Sequence, residues 1–412
     1  MGTTSPLHDD LLSDEVNEDP YPAFARLRAE DPVHWSDRHR AWMLTRHDDV
    51  VAASNHPNLS SDRVRPLLAR MPEERRATVG PVFEMIADWM VVSDPPAHTR
   101  LRRLATHAFH PKKFVAMEDR IRALVDTYID EYVQSGEQDL IANFAFPLPA
   151  TVICELIGAP VQDADRMKAW SQELALVAFG TGGDARADRH ARALAGLEEM
   201  LAYFSELVAR ARERPPGGDD MISSLLEGDA SGERLTDDEL LGMCALMLFA
   251  GHETSMNTIA STVYQLLRHP DQLALLRADP KLAGKAVEEG LRTEGAIKVL
   301  QRWVTEDLEL RGKRIRAGDR VFLLLAAANR DPERFADPDR FDITRSPNPH
   351  VAFGKGMHTC IGAMLARLEM RMAVGRLVQR LPNLRLADEG FRPQWQPSIA
   401  SRAMRALPLR HD

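Results

Sequence analysis

Cysteine is scarce in this 412-residue chain, which has three: Cys154, Cys244 and Cys360. The count is odd and no CxxC pair occurs. That excludes a disulfide framework and a paired-cysteine zinc site, and it fits a reducing cytosol. A basic excess is also missing. The 52 Lys and Arg against 61 Asp and Glu leave a formal charge of -9, the wrong sign for nucleic acid as main partner. Apolar runs such as 321–328 fall far short of the roughly 20 residues a spanning helix needs. The start, MGTTSPLHDDLLSDEVNEDP, has neither the basic region nor the apolar core of a signal peptide, and its Ser5 misses the myristoylation pattern. A cytoplasmic protein without a membrane anchor is expected, with 1–19 as a flexible lead-in. Internal repeats and dividing linkers are lacking too, so 1–412 reads as one domain.

What is present is helical periodicity. Residues 114–135 and 187–212 carry apolar side chains at three- and four-residue steps, and 272–293 read as a broken helical pair with Pro280 opening the second member. Thr236 and Glu239 form a capping box. The pattern they open runs to Arg268, stopping before His269-Pro270. At ~1.5 Å per residue this is a helix of about 50 Å, too apolar in its middle to lie anywhere but in the core. Strands are short: 42–45, 299–303, 308–310 and 320–323. The expected fold is mainly α with small β-sheets.

The sharpest motif is Phe353-Gly354-Lys355-Gly356-Met357-His358-Thr359-Cys360-Ile361-Gly362, followed by a helical run. Its glycines permit a tight loop whose backbone can approach a flat ligand. A cysteine just before a helix start sits in a field that favours thiolate, with free amides to bond the sulfur. A lone free cysteine is otherwise more often a small buried hydrophobe. Within the long helix stands Ala250-Gly251-His252-Glu253-Thr254. Its small residues open a groove, the Thr hydroxyl can bond a carbonyl one turn back and bend the helix, and the carboxylate is costly to bury without a task. Glu289 and Arg292 stand three apart on one helical face. His98 and Arg102 stand four apart in a basic helix start.

The ten-residue cysteine segment resembles the haem-binding loop of the cytochrome P450 family at each fixed position, and the likeness covers about 20–410. The resemblance implies the P450 fold, one haem b, and Cys360 as thiolate ligand of the iron. It implies that Phe353, Gly354 and Gly362 surround the sulfur, that Ala250 borders the haem, and that His98, Arg102, Arg302 and His358 hold its propionates. Glu253 and Thr254 resemble the family's oxygen-activation pair, and Glu289 and Arg292 its ExxR scaffold pair. Ala296 departs from the usual proline. The implied reaction is insertion of one atom of dioxygen into a small apolar organic substrate, typically a C–H hydroxylation. Electrons would come from NADH or NADPH through a separate ferredoxin or flavodoxin and its reductase. A monomer is expected. Two other readings are a peroxide-driven peroxygenase and a non-enzymatic haem sensor. Candidate pocket residues are Val92, Leu246, Met247, Ala250, Ile297, Lys298 and Ile399. Lys298 has two readings: on a regular strand it faces away from the pocket if Ile297 faces in, and with the strand rotated by one residue it enters the pocket and asks for an anionic substrate. Arg103, Lys112, Lys113, Lys355 and Arg367 are candidates for a basic docking face.

Overall fold

A computed structural model of the chain describes residues 7–411 apart from 137, 179–187, 216 and 230. Helices dominate it. The capping box forms as the sequence predicts: the Thr236 hydroxyl accepts from the Glu239 amide and the Glu239 carboxylate from the Thr236 amide. The apolar pattern that follows is buried from Met243 to Phe249.

The predicted long helix is two helices, Asp237–Gly251 and Glu253–Arg268, broken at His252 (φ -105°, ψ -42°). The predicted helix over 114–135 is likewise two, Pro111–Ala116 and Glu118–Ser135. Most helices share one large apolar core.

The largest sheet has the strand order Val33–Ser36, Ala41–Leu44, Arg320–Leu324, Val299–Val304, Leu59–Ser60. Only the Ala41–Leu44 and Arg320–Leu324 pair is parallel. Apolar clusters lie on both faces. Leu300 and Val304 belong to one, and Val299 and Phe322 to the other, as alternation along a strand requires.

The expected flexible lead-in is packed over its described part. Leu11 and Val16 are buried, Asp14–Glu18 is helical, and the Arg402 guanidinium bonds the carbonyls of Asn17 and Glu18. Residues 1–6 lie outside the described residues. Among the described residues no helix is long and apolar enough to cross a membrane.

Candidate active site

The cysteine loop closes on itself. The Cys360 amide donates to the Phe353 carbonyl at 2.9 Å, and the Thr359 hydroxyl to the Gly356 carbonyl at 2.7 Å. Gly354 and Gly356 have φ of 70° and 79°. At 356 a Cβ would also strike the Asn55 side chain, so only glycine fits. Gly362 is different: its φ is -84° and nothing lies within 4 Å of where a Cβ would stand. The helix Ala363–Arg380 starts immediately after it. Cys360 is exposed by surface area, yet its sulfur lies low among packed atoms. That desolvation pushes the thiol up, while the Gly362 amide, then Arg102 and Arg367, oppose the rise. The Arg367 guanidinium lies 4.4 Å over the Phe353 ring.

Basic groups from three elements meet beside the loop. His98 and Arg102 come from the helix Ala97–Ala108, Arg302 from the strand Val299–Val304, and His358 from the loop. The His98 and His358 rings are 4.1 Å apart. His98 Nε2, His358 Nε2 and Arg302 Nη2 are all buried without a hydrogen-bond partner. Burial pushes Arg302 down to about 10, with Arg63 adding to the shift. Burial, then His98 and Arg302, pushes His358 down to about 3. Arg63 is therefore a fifth basic group here. It sits in an unpatterned turn, and nothing in its local sequence marked it.

Such a cluster fits a ligand with two carboxylates, which is what a haem presents. Buried donors without partners are costly, and these three share one neighbourhood.

At the helix break, side chains take over backbone carbonyls. His252 Nδ1 donates to Leu248 O at 2.9 Å, Thr254 Oγ1 to Ala250 O at 3.1 Å, Asn257 Nδ2 to Glu253 O at 2.8 Å, and Thr258 Oγ1 to Thr254 O at 2.9 Å. The groove expected at the small residues splits by face. A Cβ at Gly251 would come within 2.7 Å of Ile153, so that side is filled by the helix Pro147–Ile157. Ala250 is exposed, although Met243 to Phe249 before it are buried. Glu253 is half-buried, and desolvation pushes its carboxyl up to about 7.

Glu289 and Arg292 are 0% and 1% exposed. The carboxylate accepts from Arg292 at 2.7 and 2.8 Å, Arg345 at 3.1 Å, Asn348 at 3.1 Å and the Asp342 amide at 2.9 Å. Arg292 also donates to the carbonyls of Asn329, Pro338 and Arg340. The pair thus holds the irregular segment 331–349 that leads into the cysteine loop. Arg345 and Asn348 were not singled out in the sequence, because nothing local ties them to a helix more than fifty residues away.

The candidate pocket residues divide. Val92, Leu246 and Met247 are buried in the main core. Ile297 packs with Leu300 on the sheet face nearer the cysteine loop, where Leu300 lies 3.6 Å from the Cβ position of Gly354. Ile399 packs on the opposite cluster. Lys298 does not join Ile297. The amides of Lys298 and Val299 both reach the Ala400 carbonyl, at 2.7 and 3.3 Å, a bulge that turns both residues to the far face. There Lys298 is 3% exposed, its neighbouring charges are Arg402 and Glu294, and it makes no ion pair among the described residues.

Burial pushes the Lys298 ammonium from 10.5 down to about 7. The unfolded chain binds this proton more tightly than the folded one. The resulting penalty grows as pH falls from 10.5 to about 7 and is constant below that. Lys298→Met is therefore expected to raise stability by at least about 1 kcal/mol at neutral pH, with the gain vanishing in alkali. Denaturant midpoints across that range check this, and an equally stable or weaker variant at pH 7 would refute it.

Three of the candidate docking cations are already engaged. Arg103 pairs with Asp229 and Glu233, Lys113 bonds Ser224 and the Asp219 carbonyl, and Arg367 pairs with Glu288. Lys112 and Lys355 are exposed, with no ion pair among the described residues.

The chain is similar to known proteins in sequence and fold. Residues 81–384 match the family model described as Cytochrome P450. The chain is 40% identical to "Cytochrome P450 monooxygenase PikC" of Streptomyces venezuelae, over 100% of this chain and 96% of that one. It is 41% identical to "Vitamin D(3) 25-hydroxylase" of Pseudonocardia autotrophica, over 99% and 98%. Among solved structures, P450BioI in complex with a hexadec-9Z-enoic acid-ligated acyl carrier protein superposes with a TM-score of 0.88 at 36% identity, covering 97% of this chain and 99% of that one. With a matching family model, full-length relatives and a shared fold, this chain belongs to the cytochrome P450 family and is an oxidoreductase of the monooxygenase kind.

Proposed function

We propose that the chain holds one haem b through the Cys360 sulfur and inserts one oxygen atom of dioxygen into an apolar organic substrate, commonly at a C–H bond. The carrying observation is the set of buried, unpartnered donors on His98, Arg302 and His358 beside an exposed Cys360 in a glycine-turned loop. When bound, the haem supplies dioxygen activation, which a thiolate ligand promotes by electron donation.

The protein's own groups have separable tasks. His98, Arg102, Arg302 and His358 bind the propionates through charge-assisted bonds. The Gly362 amide tempers the charge on the sulfur. Glu253, held near neutrality, carries a proton at its carboxyl and passes it to water that the Thr254 hydroxyl orders. Glu289 and Arg292 fix the approach to the cysteine loop. Val92, Leu246, Met247, Ala250 and Ile297 offer the substrate an apolar wall, from which Ile399, on the opposite sheet face, is removed. Solved relatives described in complex with myristic acid and with corticosterone support a mainly apolar substrate class.

Electrons are supplied from NADH or NADPH by a ferredoxin or flavodoxin with its reductase, and Lys112 and Lys355 are the cations left to meet an acidic partner. Turnover under isotopically heavy dioxygen with such a system tests the reading. One labelled atom is expected in the product. Product formed only with added peroxide would establish the peroxygenase instead, and no product with either oxidant would favour a haem sensor.

A further inference from the structure

Arg63 lies in the turn after the edge strand Leu59–Ser60. That strand runs antiparallel to Val299–Val304, with Leu59 opposite Val304 and Ser60 opposite Trp303, so the chain beyond it passes alongside Arg302. Asp94 pins the turn, accepting from the Ser60 hydroxyl and from the Ser61 amide at 2.9 Å. Asp94 stands four residues before His98, so the same contact sets Arg63 beside the helix that carries His98 and Arg102. The Arg63 charge is near enough to lower the pKa of Arg302 and, least among the charges around it, that of His358. Its sequence neighbour Asp62 acts on it through space, but the Asp62 oxygens bond the amides of Val64 and Arg65 and the Arg65 guanidinium. Among the described residues Arg63 has no ion-pair partner.

We infer that Arg63 is a fifth propionate-binding residue, beyond the four positions the family resemblance supplies; the inference rests on the haem-thiolate reading above. Charge balance supports it. A guanidinium keeps its charge even when buried. Arg63, Arg102 and Arg302 set against Asp94 then leave two uncompensated positive charges in a half-dry site. Two propionates offset that excess, whereas the site without Arg63 would hold more negative than positive charge. A guanidinium presents a fork matched to a carboxylate, and a lysine ammonium at the same place would supply charge without the fork.

The test is haem transfer from the loaded enzyme to excess apomyoglobin, together with the midpoint potential. Arg63→Met is expected to lose haem roughly ten- to hundredfold faster, the equivalent of one lost bond to a charged group, comparable with Arg102→Met. Its potential should fall, because removing a nearby positive charge favours the oxidised iron. Arg63→Lys should lie between Met and wild type. Arg65→Met, which breaks only an exposed pair with Asp62 and Asp88, should match wild type. Arg63→Met with wild-type transfer and potential overturns the assignment, as does a variant that weakens binding of fatty acids but not their methyl esters while retaining haem normally. If wild type itself lacks the carbon monoxide spectrum of a thiolate-ligated haem, the underlying reading fails. With that spectrum intact, unchanged transfer defeats the Arg63 role alone.

Discussion

Glu253→Gln is expected to lower turnover by about 10²–10⁴-fold, the usual worth of a positioned acid–base group, while leaving substrate binding intact. Glutamine keeps the volume and most of the contacts but cannot carry the proton. Desolvation holds the Glu253 carboxyl near 7, so the wild-type side chain is protonated below that pH and empties above it. Wild-type turnover should therefore decline as pH rises through about 7, and the residual rate of the glutamine variant should be flat there. Reductant consumed without product should rise in the variant, since electron delivery does not depend on this carboxyl. Wild-type turnover and coupling in Glu253→Gln would show that the proton enters by another route. Thr254→Ala should share the uncoupling, and its loss of the bond to the Ala250 carbonyl should not unfold the helix, because the bonds from His252, Asn257 and Thr258 remain.

Glu289→Ala is expected to cost about 3–5 kcal/mol, the range for breaking a buried pair by removing one partner. Arg292 would keep its charge at 1% exposure, and Arg345 would lose its carboxylate as well. Against a typical total of about 5–15 kcal/mol, such a loss should leave protein that retains little haem, since the pair anchors the segment entering the cysteine loop. Glu289→Gln, which still offers one oxygen, should fall between. The checks are the haem-to-protein absorbance ratio and the urea midpoint. A fully loaded Glu289→Ala protein of wild-type stability would mean the pair is not what holds that segment.

Local sequence signals forecast local structure well. The capping box at Thr236 and Glu239, the glycine turns around Cys360 and the i,i+3 spacing of Glu289 and Arg292 are each set by neighbours within a few residues. What failed depended on distant partners. The polar stretch 7–19 gives no hint that Arg402, nearly four hundred residues on, will hold its carbonyls. Arg103 and Arg367 read as surface charge because Glu233 and Glu288, which engage them, are remote in sequence. The break at His252 falls where the sequence allowed a local bend, and the Thr254 hydroxyl does take the Ala250 carbonyl; the imidazole that takes the Leu248 carbonyl was not foreseen, because apolar spacing does not register it. Lys298 was ambiguous because a one-residue bulge reverses the facing of a strand. The bonds to Ala400 that create it come from the far end of the chain.

The haem-thiolate claim stands on one atom, the Cys360 sulfur. Its most direct measurement is the absorption spectrum of the reduced protein under carbon monoxide, for wild type and for Cys360→Ala loaded with haem. Cys154 and Cys244 are buried, with thiols pushed up to about 12 by desolvation, so neither can substitute as a thiolate. The account predicts the red-shifted Soret band of a thiolate-ligated haem in wild type and its complete loss in Cys360→Ala. A Cys360→Ala protein that keeps the band, or a haem-loaded wild type that never shows it, would contradict the account.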